Sequence, residues 1–288
     1  MKRRSFLKLS AAAGLAAGLS VDGFLVEPNE VELTEHLVGP RKSADEREVR
    51  FAQITDLHLR SVGDVHRRLA SEVNARKPDF VVITGDSIDR AENLPLLDEF
   101  LALLDPATRK YASLGNWEHW CGVDLKALAD TYARHEGRLL VNETFVHWAG
   151  GRSVAVTGLD DLAGTPDLAK ALAGIAPAHG HVLLAHSPAY RDRLASDARG
   201  LEVGGAVVRP GVDLGPYGLD LMLAGHTHGG QVAFWGWAPL LPPGSGRYVR
   251  GWFRDAGPPL YVSRGIGMTA IPVRVGSRPE VAFFRMWA

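Results

Sequence analysis

The 288-residue chain has a single cysteine, Cys121, so it can form no intramolecular disulfide and no thiolate-rich zinc site. Any metal it holds must sit on oxygen and nitrogen. Cys121 itself reads as a small packed residue near a loop rather than a reactive thiol. Charge of one sign is also scarce: 32 Lys and Arg against 33 Asp and Glu leave a net charge of -1. There is no basic stripe of the kind that displaces counterions from a nucleic-acid backbone, so nucleic acid is not expected as the main partner. The apolar stretch from Leu9 to Leu19 falls short of the ~20 residues that comfortably span a membrane. No internal repeat or low-complexity tract follows it. The length and ordinary apolar content suit one large globular domain with appendages.

The amino terminus, Met1 to Lys8 followed by the Ala/Gly/Leu stretch, has the basic and moderately apolar regions of a secretory leader. Arg3-Arg4 before Ser5-Phe6-Leu7-Lys8 resembles a twin-arginine signal, which implies passage through the twin-arginine export machinery to the periplasm or cell envelope. That route carries folded proteins, which suits metals loaded before crossing and agrees with the absence of disulfides. Cleavage after Ser20 would make residues 1–20 a signal peptide; an uncleaved leader would anchor the protein at the membrane surface. Residues 21–47 are mixed and polar and read as a linker carrying at most one strand, at Val31 to Leu37.

The folded domain is expected over residues 48–288. Val49 to Thr55 is strand-like, and Val65, Leu69 and Val73 set a helical stripe over Asp64 to Arg76. Phe80 to Thr84 suits a buried parallel strand, Leu94 to Leu104 a helix, Lys110 to Leu114 a strand and Leu125 to His135 a helix. Arg138 to Val146 and Ser153 to Leu159 read as strands joined at the Gly150-Gly151 turn. Further strands are expected at His181 to Ala185, Leu219 to Ala224, Gln231 to Phe234, Leu260 to Ser263 and Val281 to Arg285. Early crossovers and late hairpins point to an α/β fold, a four-layer α/β/β/α sandwich of two mixed sheets flanked by helices. The Gly-, Pro- and Trp-rich segment from Trp235 to Pro259 is too long for a simple turn and reads as a functional loop.

Five short polar segments stand where apolar runs end: Asp56-Leu57-His58, Gly85-Asp86, Gly115-Asn116, His186 and Gly225-His226-Thr227-His228. Carboxylate, imidazole and amide oxygen suit divalent ions such as Mn, Fe and Zn. In Asp-x-His the period-2 alternation turns both side chains to one face. Gly85 allows a sharp turn that brings the Asp86 carboxylate between two ions. The two imidazoles of the last segment again occupy alternate positions, one for each ion.

Asp-x-His, Gly-Asp-x-x-Asp, Gly-Asn, a later strand-end His and Gly-His-x-His, in that order over about residues 49–286, resemble the calcineurin-like metallophosphoesterases. The continuations Gly229-Gly230-Gln231 and Tyr261-Val262-Ser263-Arg264-Gly265 are similar to the bacterial exported or membrane-associated phosphodiesterase branch, which includes enzymes like UDP-2,3-diacylglucosamine pyrophosphatases. The resemblance implies two divalent metals. Asp56, His58, Asp86 and His228 would surround one, and Asp86, Asn116, His186 and His226 the other, with Asp86 bridging. It further implies in-line attack on phosphorus by a hydroxide between the ions.

One departure stands out. Gly-Asn is usually followed by His, but position 117 is Trp117. In relatives that His serves the leaving group and is oriented by the second Asp of Gly-Asp-x-x-Asp, here Asp89. Asp89 therefore lacks its partner unless His119 fills the space. Loss of a general acid costs on the order of 10²–10⁴ in rate and least for good leaving groups, so a diester or pyrophosphate suits the site better than an alkyl monoester. Arg60 has two readings, a substrate-phosphate contact or an ordinary surface residue. Glu118 reads as a supporting or solvent-facing carboxylate, Asp160-Asp161 as a solvated turn, and His36, His66, His135, His147, His179 and His181 as ordinary packed or surface residues. The expected function is a two-metal phosphodiesterase or pyrophosphatase of the envelope, whose phosphate-ester substrate carries a lipid or sugar portion sheltered by the loop from Phe234 to Phe253. The alternatives are a metal-binding envelope protein without turnover and a one-metal hydrolase of amides or esters.

Overall fold

The computed structural model describes residues 22–41, 43–203, 206–207, 218–234, 237–255 and 257–288. The expected leader, residues 1–20, and its cleavage point after Ser20 lie outside the described residues. Among the described residues no helix is long and apolar enough to cross a membrane.

The strands are β1 (Glu32–Val38), β2 (Glu48–Ile54), β3 (Phe80–Thr84), β4 (Arg109–Ser113), β5 (Gly137–Leu139), β6 (Glu143–Ala149), β7 (Arg152–Gly158), β8 (Gly180–Leu184), β9 (Glu202–Val203), β10 (Ala206–Val207), β11 (Leu221–Ala224), β12 (Gly251–Phe253), β13 (Leu260–Val262) and β14 (Glu280–Trp287). The helices are α1 (Asp64–Arg76), α2 (Leu94–Leu101), α3 (Asn116–Trp120), α4 (Leu125–Arg134), α5 (Leu168–Leu172) and α6 (Tyr190–Asp197). One sheet runs β1-β14-β2-β3-β4-β5 and the other β12-β13-β11-β8-β7-β6. Each mixes parallel and antiparallel neighbours: β2, β3, β4 and β5 are parallel in sequence, while β14 is antiparallel to β2.

Alternation along the strands builds the layers. Phe51, Phe80, Val82 and Tyr111 of the first sheet meet Val154, Val182, Leu184 and Leu223 of the second in the inter-sheet core. Ala52, Ile54, Val81 and Ile83 face the other way and bury Leu69, Val73, Phe100 and Leu128 from α1, α2 and α4. On the far side Leu183, Met222 and Val262 pack on Leu168, Tyr190 and Leu194 from α5 and α6. The four-layer α/β/β/α sandwich is therefore present. Gln53 joins the sheets directly beneath the strand ends, its Nε2 donating to Thr84 Oγ1 at 2.9 Å and to the Ala224 carbonyl at 3.0 Å.

Two expectations about elements change. The run Arg138 to Val146 is not one strand: β5 closes the first sheet and β6 edges the second. The chain changes sheets at Asn142, a left-handed residue (φ 54°). The Asn142 side chain accepts the Asp160 and Asp167 N–H groups and donates to the Thr165 carbonyl. Gln231 to Phe234 is not a strand either; Gln231 is left-handed (φ 53°), and only isolated bridges at Val232 and Phe234 remain. The strand expected at Val31 to Leu37 is present as β1, which pairs in parallel with β14, and Glu27 in front of it is buried with its carboxylate on the Gly276 and Ser277 N–H groups. The hairpin at Gly150 and Gly151 forms as expected, both residues having positive φ.

Candidate metal centre

The carboxyl ends of β2, β3, β4, β8 and β11 converge, and each is followed by one of the five polar segments. This is the end of an α/β sheet where ligands ordinarily bind. Backbone hydrogen bonds carry the parallel pairing beyond the strands: Asp56 N–H donates to the Gly85 carbonyl, His58 to Asp86 and Leu59 to Ser87. Asp56, His58, Asp86, His226 and His228 all have φ between 43° and 71°. That left-handed conformation costs non-glycine residues on the order of 1–3 kcal/mol each, a cost tolerated where surrounding structure over-determines it and typical of ligand clamps.

Two buried trios result, Asp56 with His58 and His228, and Asp86 with His186 and His226. In the first, His58 Nε2 lies 3.2 Å from His228 Nε2, and His228 Nε2 lies 3.5 Å from Asp56 Oδ1. In the second, His186 Nε2 is 3.1 Å from Asp86 Oδ2. The same Asp86 Oδ2 is 3.6 Å from His58 Nε2, so one carboxylate oxygen faces both trios. The other, Oδ1, accepts the Trp117 N–H at 2.9 Å, which holds the carboxylate in that attitude. Asn116 Oδ1 sits 2.8 Å from His226 Nδ1 and joins the second trio.

The donor atoms fit ions. His186 Nδ1–H donates to the Thr84 carbonyl at 2.7 Å and His226 Nε2–H to the Pro243 carbonyl at 2.8 Å, leaving His186 Nε2 and His226 Nδ1 as the lone-pair atoms that face the site. Bonds of about 2.1 Å from one ion separate neighbouring ligand atoms by roughly 3.0–3.4 Å in octahedral or tetrahedral geometry. The distances within the trios match that spacing, and lone pairs packed so closely repel unless a cation or proton lies between them.

Charge follows the same logic. Burial pushes Asp56 up to about 6, and lowers His58 to about 4. Burial also lowers His226, and takes His228 well below the usual histidine value with help from His58 and Arg274. Burial alone would raise Asp86 and lower His186, but their mutual attraction wins: Asp86 is held below the ordinary carboxylate range and His186 well above its own. In the metal-free protein the proton on His186 takes a cation's place.

Residues around the trios depart from expectation in instructive ways. His119 does not reach Asp89; its Nε2 is 2.6 Å from Asp160 Oδ1. Asp89, nearly buried, is instead held by Arg60 through Nε at 2.9 Å and Nη2 at 2.8 Å. Trp117 stands edge-on to the His58 ring, with centroids 5.8 Å apart, and against Trp120. Asp160-Asp161 is no solvated turn, since Asp161 is buried and accepts the Ser187 hydroxyl at 2.6 Å. Glu118 is buried and accepts the Gly115, Asp86 and Ser87 N–H groups, tying two ligand loops together; burial and Asp86 push it up to about 7. Arg274 was invisible in sequence: fully buried, it donates to the carbonyls of Arg264, Gly265, Gly267 and Ser277, and so shapes the loop behind Asp56 and His228. The loop after His228 backs the second trio through Pro243, while Trp237 and Leu240 project from it, 67% and 82% exposed. His36, His135, His147 and His179 each have partners outside the trios.

The sequence pattern of the calcineurin-like phosphoesterases matches residues 49–230. The metallophosphoesterase YkuE of Bacillus subtilis is 27% identical over 99% of this chain and 98% of its own length. Phosphodiesterase YaeI of Escherichia coli is 28% identical over 99% of both chains. Among solved structures, a putative 5'-nucleotidase from Staphylococcus aureus aligns with a TM-score of 0.44 at 16% identity, over 82% of this chain and 54% of that one.

Proposed function

The chain belongs to the calcineurin-like phosphoesterase family and is a metal-dependent phosphoesterase, and on that premise we propose that it hydrolyses phosphodiester or diphosphate bonds in the cell envelope. The observation that carries the bond class is the surroundings of Asp89. Its partner is a permanently charged guanidinium, and the nearby His119 is committed to Asp160, so neither offers the leaving group an imidazole proton held by Asp89. Diesters with stable leaving groups and diphosphates tolerate that; alkyl monoesters do not. Likeness to a phosphodiesterase over the full length supports the same reading.

The fitting metal ligands are Asp56, His58, Asp86 and His228 on one side and Asp86, Asn116, His186 and His226 on the other. A divalent pair bound there supplies Lewis acidity and an activated water. The protein's part is positioning: Asp86 faces both trios, Glu118 and Trp117 fix its backbone and carboxylate, and Asp56 accepts the His226 N–H at 2.9 Å. The neutral Asn116 amide leaves more positive charge for a substrate phosphate. The leader resembling a twin-arginine signal supports export, and the exposed Trp237 and Leu240 on the loop whose Pro243 backs the second trio support a substrate with a lipid or sugar portion. Such substrates include those of UDP-diacylglucosamine-type pyrophosphatases.

The test is hydrolysis of bis(p-nitrophenyl) phosphate with added Mn²⁺. Asp86→Ala and His226→Ala should each lower turnover by at least ~10²-fold and reduce bound metal. Activity untouched by both substitutions would remove the site. Trp237→Ala and Leu240→Ala should weaken turnover of lipid-linked but not soluble substrates.

A further inference from the structure

A cavity of about 600 Å³ opens beside the first trio, sharing His58 with it, and among the described residues its wall carries Arg60 and Arg68 against Asp64 as the one acid. Leu57, Ile266 and Met268 supply apolar lining. Arg60 reaches from this wall to Asp89, which is not part of the lining, and the pair is built unusually for an ion pair at a surface. Arg60 is 54% exposed, whereas Asp89 is 4% exposed and further held by Asn93 Nδ2 at 3.3 Å. Two exposed partners would hold each other loosely. A buried carboxylate cannot release its arginine without becoming an uncompensated buried charge. Asp89 therefore fixes the guanidinium two residues beyond a metal ligand, and the pair uses only the Nε and Nη2 donors of Arg60.

We propose that Arg60, oriented by Asp89, binds a second phosphate of the substrate, and that the cavity thereby selects diphosphate diesters over esters with a single phosphate. This rests on the phosphoesterase reading of the trios. In the reaction, water's oxygen bonds to the attacked phosphorus and the bridging P–O bond breaks with its electron pair on the departing phosphate. Water's protons pass to solvent. The departing group is stable as an anion, so a fixed cation serves it without giving up a proton. Arg60 offers several donors in a planar fork that matches phosphate oxygens.

The experiment compares Mn²⁺-loaded wild type, Arg60→Gln, Arg60→Lys and Asp89→Asn on ADP-ribose, a diphosphate diester, and on bis(p-nitrophenyl) phosphate. Arg60→Gln should lower kcat/KM for ADP-ribose by about 10–10²-fold, the scale of a lost charge-assisted contact, and change the single-phosphate substrate less than about 3-fold. Arg60→Lys should restore part of the loss, and Asp89→Asn should reproduce part of it. Binding of α,β-methylene-ADP should weaken at least about 10-fold in Arg60→Gln, while AMP binding stays unchanged. Equal losses on both substrates, or unchanged methylene-ADP binding, would overturn the proposal. If metal-replete wild type hydrolyses neither substrate, the phosphodiester reading fails, and the binding comparison still judges Arg60.

Discussion

Gly115→Ala is the sharpest test of how the centre is held, because it changes no ligand and no charge. Gly115 has an extended backbone, φ -112° and ψ -176°, so alanine brings no backbone strain. A Cβ there would lie 2.2 Å from Asp86 Oδ1 and 2.5 Å from the Asp86 backbone nitrogen. Ordinary contacts need about 1 Å more in each case. The backbone cannot slide to supply it, since Glu118 Oε2 binds both the Gly115 and Asp86 N–H groups. The carboxylate that faces both trios must move instead. Overpacking of this kind costs about 1–3 kcal/mol. In a chain of this size that lowers Tm by roughly 2–12 °C, at about 2–4 °C per kcal/mol. A displacement near 1 Å at the reacting centre costs on the order of 10² in rate. Metal analysis, calorimetry and hydrolysis of bis(p-nitrophenyl) phosphate read the three effects. Gly218→Ala is the control, because nothing lies within 4 Å of its Cβ position. Wild-type metal content and turnover in Gly115→Ala would refute the reasoning.

Metal entry should release protons near pH 6. In the metal-free protein Asp56 and Glu118 are raised to about 6 and about 7, and His186 well above its usual value, so all three hold protons that cations displace. Metal affinity should therefore rise from pH 5 to 7, with proton release seen by titration calorimetry in buffers of different ionisation enthalpy; a falling affinity would contradict the assignment. Metal-free stability should carry the opposite trend from the two carboxylates. A raised folded pKa means stability is lost as pH climbs from the ordinary values of 3.8 and 4.5 towards about 6 and 7, which thermal unfolding against pH would record. His119→Ala should leave kcat within about 10-fold of wild type, since His119 serves Asp160; a loss of 10² or more in stopped assays would mark it as the acid after all.

The two buried trios were legible because their signals are local. Each of the residues follows a strand, most of them apolar, and strand-end chemistry survives in a few adjacent letters, as at Asp56-Leu57-His58. Long-range partners leave no such trace. Glu118 looks like any helix glutamate until β3 and β4 bring Asp86 and Ser87 over it. Arg274 looks like a surface cation until the carbonyls of the 264–267 loop close around it. The same limit explains the split between β5 and β6. Arg138 to Val146 is rich in β-prone residues at both ends, but Asn142 between them has tertiary partners at Asp160, Thr165 and Asp167 that turn the chain from one sheet to the other.

Trp117 ties these threads to function. The family resemblance implies an imidazole at that position oriented by Asp89, gaining and losing a proton. The indole can do neither, and a carboxylate only 4% exposed cannot stand alone, so its charge had to be met by some other side chain. His119 was the nearest candidate in sequence, but its place in α3 directs it to Asp160. Arg60 meets the charge instead, and on the proposed reading the flank of the first trio then offers a fixed cation where the family pattern offers an imidazole. Such a flank cannot protonate an alkoxide, yet it can hold an anionic leaving group without any change of protonation. The proposed bond class therefore rests on how the charge of a single buried carboxylate is met.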